Sequence, residues 1–252
     1  MKKNVASRAI KIVKEEGVKS FSKKALAHIA KKLEFLILPY ASLKIKGLNQ
    51  NCTLNELLDF AFNDLAGLIK PSQVYDEISE LLKTLARMKP KVILEIGTAN
   101  GGTLFLFCRI ASKDAIIISI DLPGGRFGGG YSKWREFLYK SFAQPSQKIY
   151  LPRVDSHKGE TLEQVKAILD GKELDLLFID GDHTYEGVKK DFEMYSSLLR
   201  QGVIAFHDIV LGPSENVGGV PQFWQEIRDN YDSKEIVEDQ SQGGYGIGLL
   251  RV

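Results

Sequence analysis

From Lys91 onward the chain alternates short, apolar, β-branched runs with longer amphipathic stretches. That alternation constrains its fold more than any other feature. The runs are Val92–Ile96, Ala115–Ile120, Leu174–Ile179 and Val203–Phe206, and the helical stretches are Ser132–Phe142, Thr161–Leu169 and Tyr185–Leu199. Parallel strands need crossover connections, usually helices, so this pattern predicts βαβ units and a mostly parallel sheet. The runs are apolar throughout, as expected of strands covered by helices on both faces. Ile149–Leu151 reads as a further short strand, and Tyr245–Val252 as a last one.

The first fifty residues differ in charge. They hold twelve Lys/Arg against three Asp/Glu, a balance of +9, and the other 202 residues hold 22 against 29, a balance of −7. Residues 4–38 read as one or two amphipathic helices, broken near Gly17 and stopped by Pro39. Asn49–Thr53 is a polar linker candidate. Pro71 then opens a helix whose buried face is Val74, Ile78, Leu81, Leu85 and Met88. The expected division is a basic helical arm, 1–50, and a main domain, 51–252, with a helical lead-in (51–90) and a core (91–252). Such an arm can lie on an anionic membrane or on nucleic acid, or pack on the domain as a solvated helix pair.

No span or leader is legible. Leu33–Leu43 falls short of the roughly 20 residues that cross a bilayer, and Lys11, Lys14, Glu15 and Glu16 interrupt any leader. Cys52 and Cys108 lack metal-ligand spacing, which fits a reducing, cytoplasmic compartment.

The first run opens into Lys91-Val-Ile-Leu-Glu95-Ile-Gly97-Thr98-Ala99-Asn-Gly101-Gly102-Thr103, a strand, a glycine-rich turn and a helix start. Gly97 and Gly101 permit a tight turn and close approach of a ligand, and the helix offers unpaired N–H groups. A dinucleotide-binding protein competes for this pattern. Ala99, however, stands where a dinucleotide loop has its second glycine, and Glu95 suits a ligand bearing an ammonium group, such as the methionine part of S-adenosylmethionine. Asp121, ending the next run, is placed to accept hydrogen bonds from a ribose. Farther on, Asp155 is a candidate for the adenine amino group with Ser156 beside it, or equally a helix cap.

The most informative segment is Leu174-Asp-Leu-Leu-Phe-Ile-Asp180-Gly-Asp182-His183-Thr-Tyr185-Glu186, followed by the run ending at His207 and Asp208. In an open α/β sheet the ligand crevice lies at the carboxyl ends of the strands. If the two strands are neighbours, Asp180, Asp182, His183, His207 and Asp208 share one floor. Crowded carboxylates repel unless a proton or a cation intervenes. Oxygen ligands with one imidazole suit Mg²⁺ or Mn²⁺ better than Zn²⁺ or Fe²⁺. Two glycine-rich segments flank these motifs. Gly124–Arg135, with five glycines in its first seven residues, reads as a lid or as a surface loop leading to a packed Trp134. Gly218–Trp224 reads as a pocket wall or as a helix opened by Pro221 with Trp224 in the core.

Taken together, Leu94-Glu-Ile-Gly-Thr-Ala-Asn-Gly-Gly-Thr103, Asp121-Leu-Pro-Gly-Gly, Asp180-Gly-Asp-His-Thr-Tyr-Glu186, Phe206-His-Asp-Ile209 and Gly219-Val-Pro-Gln-Phe-Trp224 resemble the class I S-adenosylmethionine-dependent methyltransferases. Within them, they resemble the small-molecule O-methyltransferases related to macrocin and cephalosporin-pathway enzymes. The resemblance implies a Rossmann-like α/β fold with seven strands, the last antiparallel, and a cofactor site that includes Asp180. It implies a divalent metal on Asp180, His207 and Asp208, although the middle ligand of the family is Asp or Glu. It assigns the general base to Asp182 or His183. The implied partner is a small-molecule acceptor, a sugar or glycoside, and no nucleic acid is expected. Membrane contact through residues 1–50 and homo-oligomerisation stay open. A nicotinamide-dependent oxidoreductase and a non-catalytic binding module are the alternatives.

Overall fold

The computed structural model describes residues 35–124 and 130–252. The first part of the arm, with the break near Gly17, and most of the glycine-rich segment after Gly124 lie outside the described residues.

Seven strands form one sheet: β1 (Val92–Ile96), β2 (Ile116–Ile120), β3 (Lys148–Tyr150), β4 (Leu176–Ile179), β5 (Val203–His207), β6 (Asp232–Ile236) and β7 (Ile247–Arg251). Their order is β3-β2-β1-β4-β5-β7-β6. The first five are parallel, and β7 runs antiparallel between β5 and β6. The connections switch sides between β1 and β4, where an open parallel sheet leaves a crevice at its carboxyl edge. Asp180 and Asp208 follow directly on the neighbouring strands β4 and β5. The expected α/β sheet with an antiparallel last strand is therefore observed. The polar strand β6 was not anticipated, because four of its five residues are exposed and it lacks an apolar alternation.

Successive side chains of a strand point to opposite faces, so the apolar runs feed two cores. Ile93, Ile117, Leu176, Phe178, Ala205 and Leu249 face one layer. That layer contains α1 (35–46), α2 (Leu54–Asn63), α3 (Tyr75–Met88) and α4 (Gly102–Ile110). Leu94, Ile96, Ile118, Leu177, Ile179, Ile204 and Phe206 face the other. It is covered by α6 (Gly159–Leu169), α7 (Tyr185–Tyr195) and α9 (Val220–Ile227). Two shorter helices, α5 (Arg135–Lys140) and α8 (Ser214–Val217), border the carboxyl edge.

Local signals explain where several helices begin. Thr53 and Glu56 form a reciprocal capping box at the start of α2. Thr184 caps α7 by accepting the Gly187 N–H at 3.0 Å. Pro221 sits in the first turn of α9, and Trp224 is buried, as the helix reading expected.

Four expectations need correction. Pro39 does not end the arm helix, which continues through residue 46 because Leu38, Ala41 and Ile45 are buried in the main core. Packing there outweighs the missing N–H. Helix α3 begins at Tyr75 rather than Pro71, and Met88, in its last turn, is 41% exposed rather than buried. Of the two readings of the segment ending at Arg135, the one that packs Trp134 in the core fails, since Trp134 is 42% exposed.

Candidate active site

A cleft of about 1030 Å³ opens at the carboxyl ends of β1, β2, β4 and β5. Of the predicted cofactor residues, Gly97, Ala99, Asp121, Asp155, Ser156 and Asp180 line it. Glu95, Thr98, Gly101, Gly102 and Thr103 lie behind the lining, where they shape the loop. A Cβ on Gly97 would come within 1.9 Å of the Asp180 carbonyl oxygen, and one on Gly101 within 2.6 Å of the Tyr139 ring. These glycines let the turn press against β4 and α5. The Thr98 hydroxyl is 2.6 Å from that of Ser119, and Ser119 donates to Glu95. Glu95 is fully buried, and burial drives its carboxyl well above the usual range, partly opposed by the Ser119 bond.

Asp121 braces this loop. Its Oδ2 accepts the Thr98 and Ala99 N–H groups at 3.1 and 2.8 Å, and its Oδ1 accepts that of Gly130 at 2.7 Å. Burial raises its carboxyl, while these three amides and Arg153 lower it. Ala99 is held at φ 43°, in the left-handed region. Tyr139 Oη donates to the Ala99 carbonyl at 2.7 Å. The turn therefore takes its shape from Asp121 on one side and α5 on the other.

The adenine-side candidates sit on the turn between β3 and α6. Asp155 Oδ1 accepts the His157 N–H at 2.9 Å, and Thr161 Oγ1 donates to the Asp155 carbonyl at 2.7 Å. His157, which also lines the cleft, places Nε2 3.3 Å from Oδ1 of the buried Asp191 on α7.

The floor unites the residues read from the strand ends. Asp180, Asp182, His183, His207 and Asp208 all line the cleft. His207 Nδ1 is 3.1 Å from Asp180 Oδ1 and 3.4 Å from Asp208 Oδ2. His183 Nε2 is 3.4 Å from Asp180 Oδ1, and its Nδ1 is 3.3 Å from Asp208 Oδ2 and 2.5 Å from the Asn216 carbonyl. Two imidazoles thus bridge two carboxylates. Burial lowers the His183 pKa, but Asp180, the Asn216 carbonyl and Asp208 outweigh it and raise it to about 9. For His207 too, burial acts downward and the two aspartates carry it well above the usual value. Burial pushes Asp180 up, yet the two histidines hold it below the usual carboxylate range.

Asp182 is tied to the start of α7. Its Oδ1 accepts the Thr184 N–H at 2.9 Å, and a Cβ on Gly187 would come within 2.4 Å of Asp182 Cγ. Asp208 stands at φ 63°, and its Oδ1 accepts the Tyr245 N–H at 3.0 Å.

Sequence reading missed several contributors. Gln73, in the turn before α3, donates from Nε2 to Asp180 Oδ2 at 2.8 Å and accepts from Thr103 Oγ1 at 3.2 Å. Asn216 and the Gly243–Tyr245 turn form the far wall. The glycines around Tyr245 were a turn signal, but nothing in their pattern linked that turn to β5.

Comparison with known proteins finds related sequences and folds. Residues 94–209 match the family model described as a methyltransferase domain. The uncharacterized protein y4gI of Sinorhizobium fredii (strain NBRC 101917 / NGR234) is 30% identical over 145 residues, which are 56% of this chain. The match spans only 15% of that protein's length. An O-methyltransferase from Bacillus cereus, solved with SAH, superposes with a TM-score of 0.55 at 19% identity, covering 79% of this chain and 90% of that one. The calicheamicin methyltransferase CalS11 gives 0.54 at 15% identity, covering 88% and 92%. TomG from Streptomyces achromogenes, involved in tomaymycin synthesis and solved with SAM, gives 0.51 at 20% identity, covering 79% and 88%. At these identities the likeness is one of fold. Residues 94–209 of this chain thus match a methyltransferase-domain model, and its fold is that of the solved methyltransferases named above.

Proposed function

We propose that the chain transfers the methyl group of S-adenosylmethionine to a hydroxyl of a small molecule, a sugar or glycoside, with a divalent cation assisting. The observation that carries this reading is the floor. A largely buried pair of carboxylates with two imidazoles lies in the same cleft as the glycine-rich loop, and the cleft, at about 1030 Å³, is at the upper end of the range usual for small-molecule sites. In this reading the methionine end of the donor lies along Gly97–Ala99, its ribose near Asp121 and its adenine near Asp155 and Ser156.

The donor set fits a cation that displaces the proton the two aspartates hold on His207. Asp180, His207 and Asp208 each offer one ligand atom, and the three atoms lie within 4.8 Å of one another. Two carboxylates and one imidazole suit Mg²⁺ or Mn²⁺. Such an ion supplies Lewis acidity, which lowers the pKa of an acceptor hydroxyl. The chain's own groups do the rest. Gln73 fixes Asp180 from behind. His183, held between Asp180, Asp208 and the Asn216 carbonyl, is the base we assign, because Asp182 is engaged at the start of α7. With a cation on the two aspartates, the charge that raises its pKa to about 9 is offset, and His183 is free to accept a proton. With the acceptor oxygen positioned on the floor and the sulfonium in the loop, proximity accounts for much of the remaining rate.

The test is methyl transfer from labelled S-adenosylmethionine to a panel of glycosides and phenols. Chelation should abolish turnover, and Mg²⁺ or Mn²⁺ should restore it in the wild type but not in Asp208→Asn. Affinity for S-adenosylhomocysteine should change far less. Turnover that survives exhaustive chelation overturns the metal role. Transfer confined to the phenols overturns the glycoside assignment.

A further inference from the structure

Helix α1 is apolar on two opposite sides. Leu38, Ala41, Ser42 and Ile45 are buried against the domain. With 3.6 residues per turn, Leu36, Tyr40 and Leu43 fall on the side directly opposite. Their exposures are 69, 57 and 70%, and Phe35 at 59% and Ile37 at 44% are exposed on the two flanks of the helix. The same helical spacing places Lys44 on one border of the strip and Lys46 on the other. The Lys44 ammonium lies 5.7 Å above the Tyr40 ring. Three large apolar side chains exposed on one side of a short helix, with two more on its flanks, are more than the scattered exposure usual on a soluble surface, and they mark an interaction site.

Charge selects the occupant. This strip belongs to the segment carrying +9, while the rest of the chain carries −7. Pairing this strip with the same strip of a second copy would bring Lys44 and Lys46 of both copies together. An anionic lipid surface answers both features, with an apolar layer for the side chains and negative headgroups for the lysines. Tyrosine between them suits the boundary between the two. No described helix is long and apolar enough to cross a membrane, so the contact is one of a helix lying in the interface. We propose that the outer face of α1 docks this protein on an anionic lipid surface, while its inner face stays packed on the domain. The acidic body would then be turned away from the lipid.

The test is flotation of the full-length protein with vesicles of phosphatidylcholine alone and of phosphatidylcholine mixed with phosphatidylserine. The protein should float with the anionic vesicles only. Binding should weaken as salt shortens the screening length to about 8 Å at physiological ionic strength. The double variant Leu36→Glu, Leu43→Glu should bind at least about tenfold more weakly, and Lys44→Glu about fivefold. If the double variant unfolds, Tyr40→Ser replaces it, with weaker flotation again expected. Absence of flotation overturns the proposal. So does flotation unaffected by the apolar substitutions in a folded variant, because the basic residues would then act alone. A light-scattering dimer that these substitutions dissociate overturns it in favour of a second copy.

Discussion

Gln73 Nε2 donates to Asp180 Oδ2 at 2.8 Å, joining the turn before α3 to the floor of the cleft across 107 positions of sequence. The same amide accepts from Thr103 on the first turn of α4, so one side chain links the cofactor loop's helix to the proposed metal ligand. Gln73 is 5% exposed.

Gln73→Leu should therefore leave a buried carboxylate oxygen without its donor. The expected loss is about 10–100-fold in metal affinity or turnover, the range typical of removing a ligand's outer partner. S-adenosylhomocysteine affinity should be nearly unchanged. Metal titrations and steady-state rates read this directly, and wild-type values for both would remove Gln73 from the site's support.

His183→Ala should lower kcat by about 10²–10⁴-fold, as expected of losing a general base, while metal still binds. Asp182→Asn should cost less in rate, because Asp182 already accepts the Thr184 N–H and packs on Gly187. A larger rate loss in Asp182→Asn than in His183→Ala would reverse the assignment.

The His157–Asp191 pair gives the fold a pH dependence. The Asp191 carboxylate, 3.3 Å from His157 Nε2, raises the His157 pKa, against burial, which lowers it. Burial raises Asp191, which His157 partly opposes. A histidine whose folded-state pKa lies above its unfolded value of about 6.5 contributes its full stabilisation below that value. The contribution is lost as pH rises through the folded-state pKa. The shift on Asp191 acts in the same direction at lower pH. Tm should accordingly fall as pH rises past about 6.5, and Asp191→Asn should flatten that slope. Parallel profiles for the two proteins would contradict the pair's role.

What the sequence disclosed, and what it hid, follows from the range of the interactions. β1, β4 and β5 were legible because strands covered on both faces must be apolar throughout. β6 was not, since an exposed edge imposes no apolar pattern. Asp180 and Asp208 could be joined in advance, because residues ending adjacent parallel strands share one edge of the sheet. Gln73 could not. A neutral amide in a turn carries no signal of a partner on β4. Nor did the glycine-rich loop disclose that Asp121 would spend three of its acceptor positions on Thr98, Ala99 and Gly130. The arm helix passes Pro39 for the same reason. Its inner face has a core to enter, and local preference cannot show that.

The most direct test of the account is calorimetry on the full-length protein, with S-adenosylhomocysteine and NADH titrated separately. Ala99 in place of a second loop glycine, and the acidic floor beyond it, both oppose a dinucleotide. S-adenosylhomocysteine should bind with one-to-one stoichiometry, and NADH should give no heat beyond dilution. Binding of NADH in the absence of any binding of S-adenosylhomocysteine would contradict the assignment of this cleft.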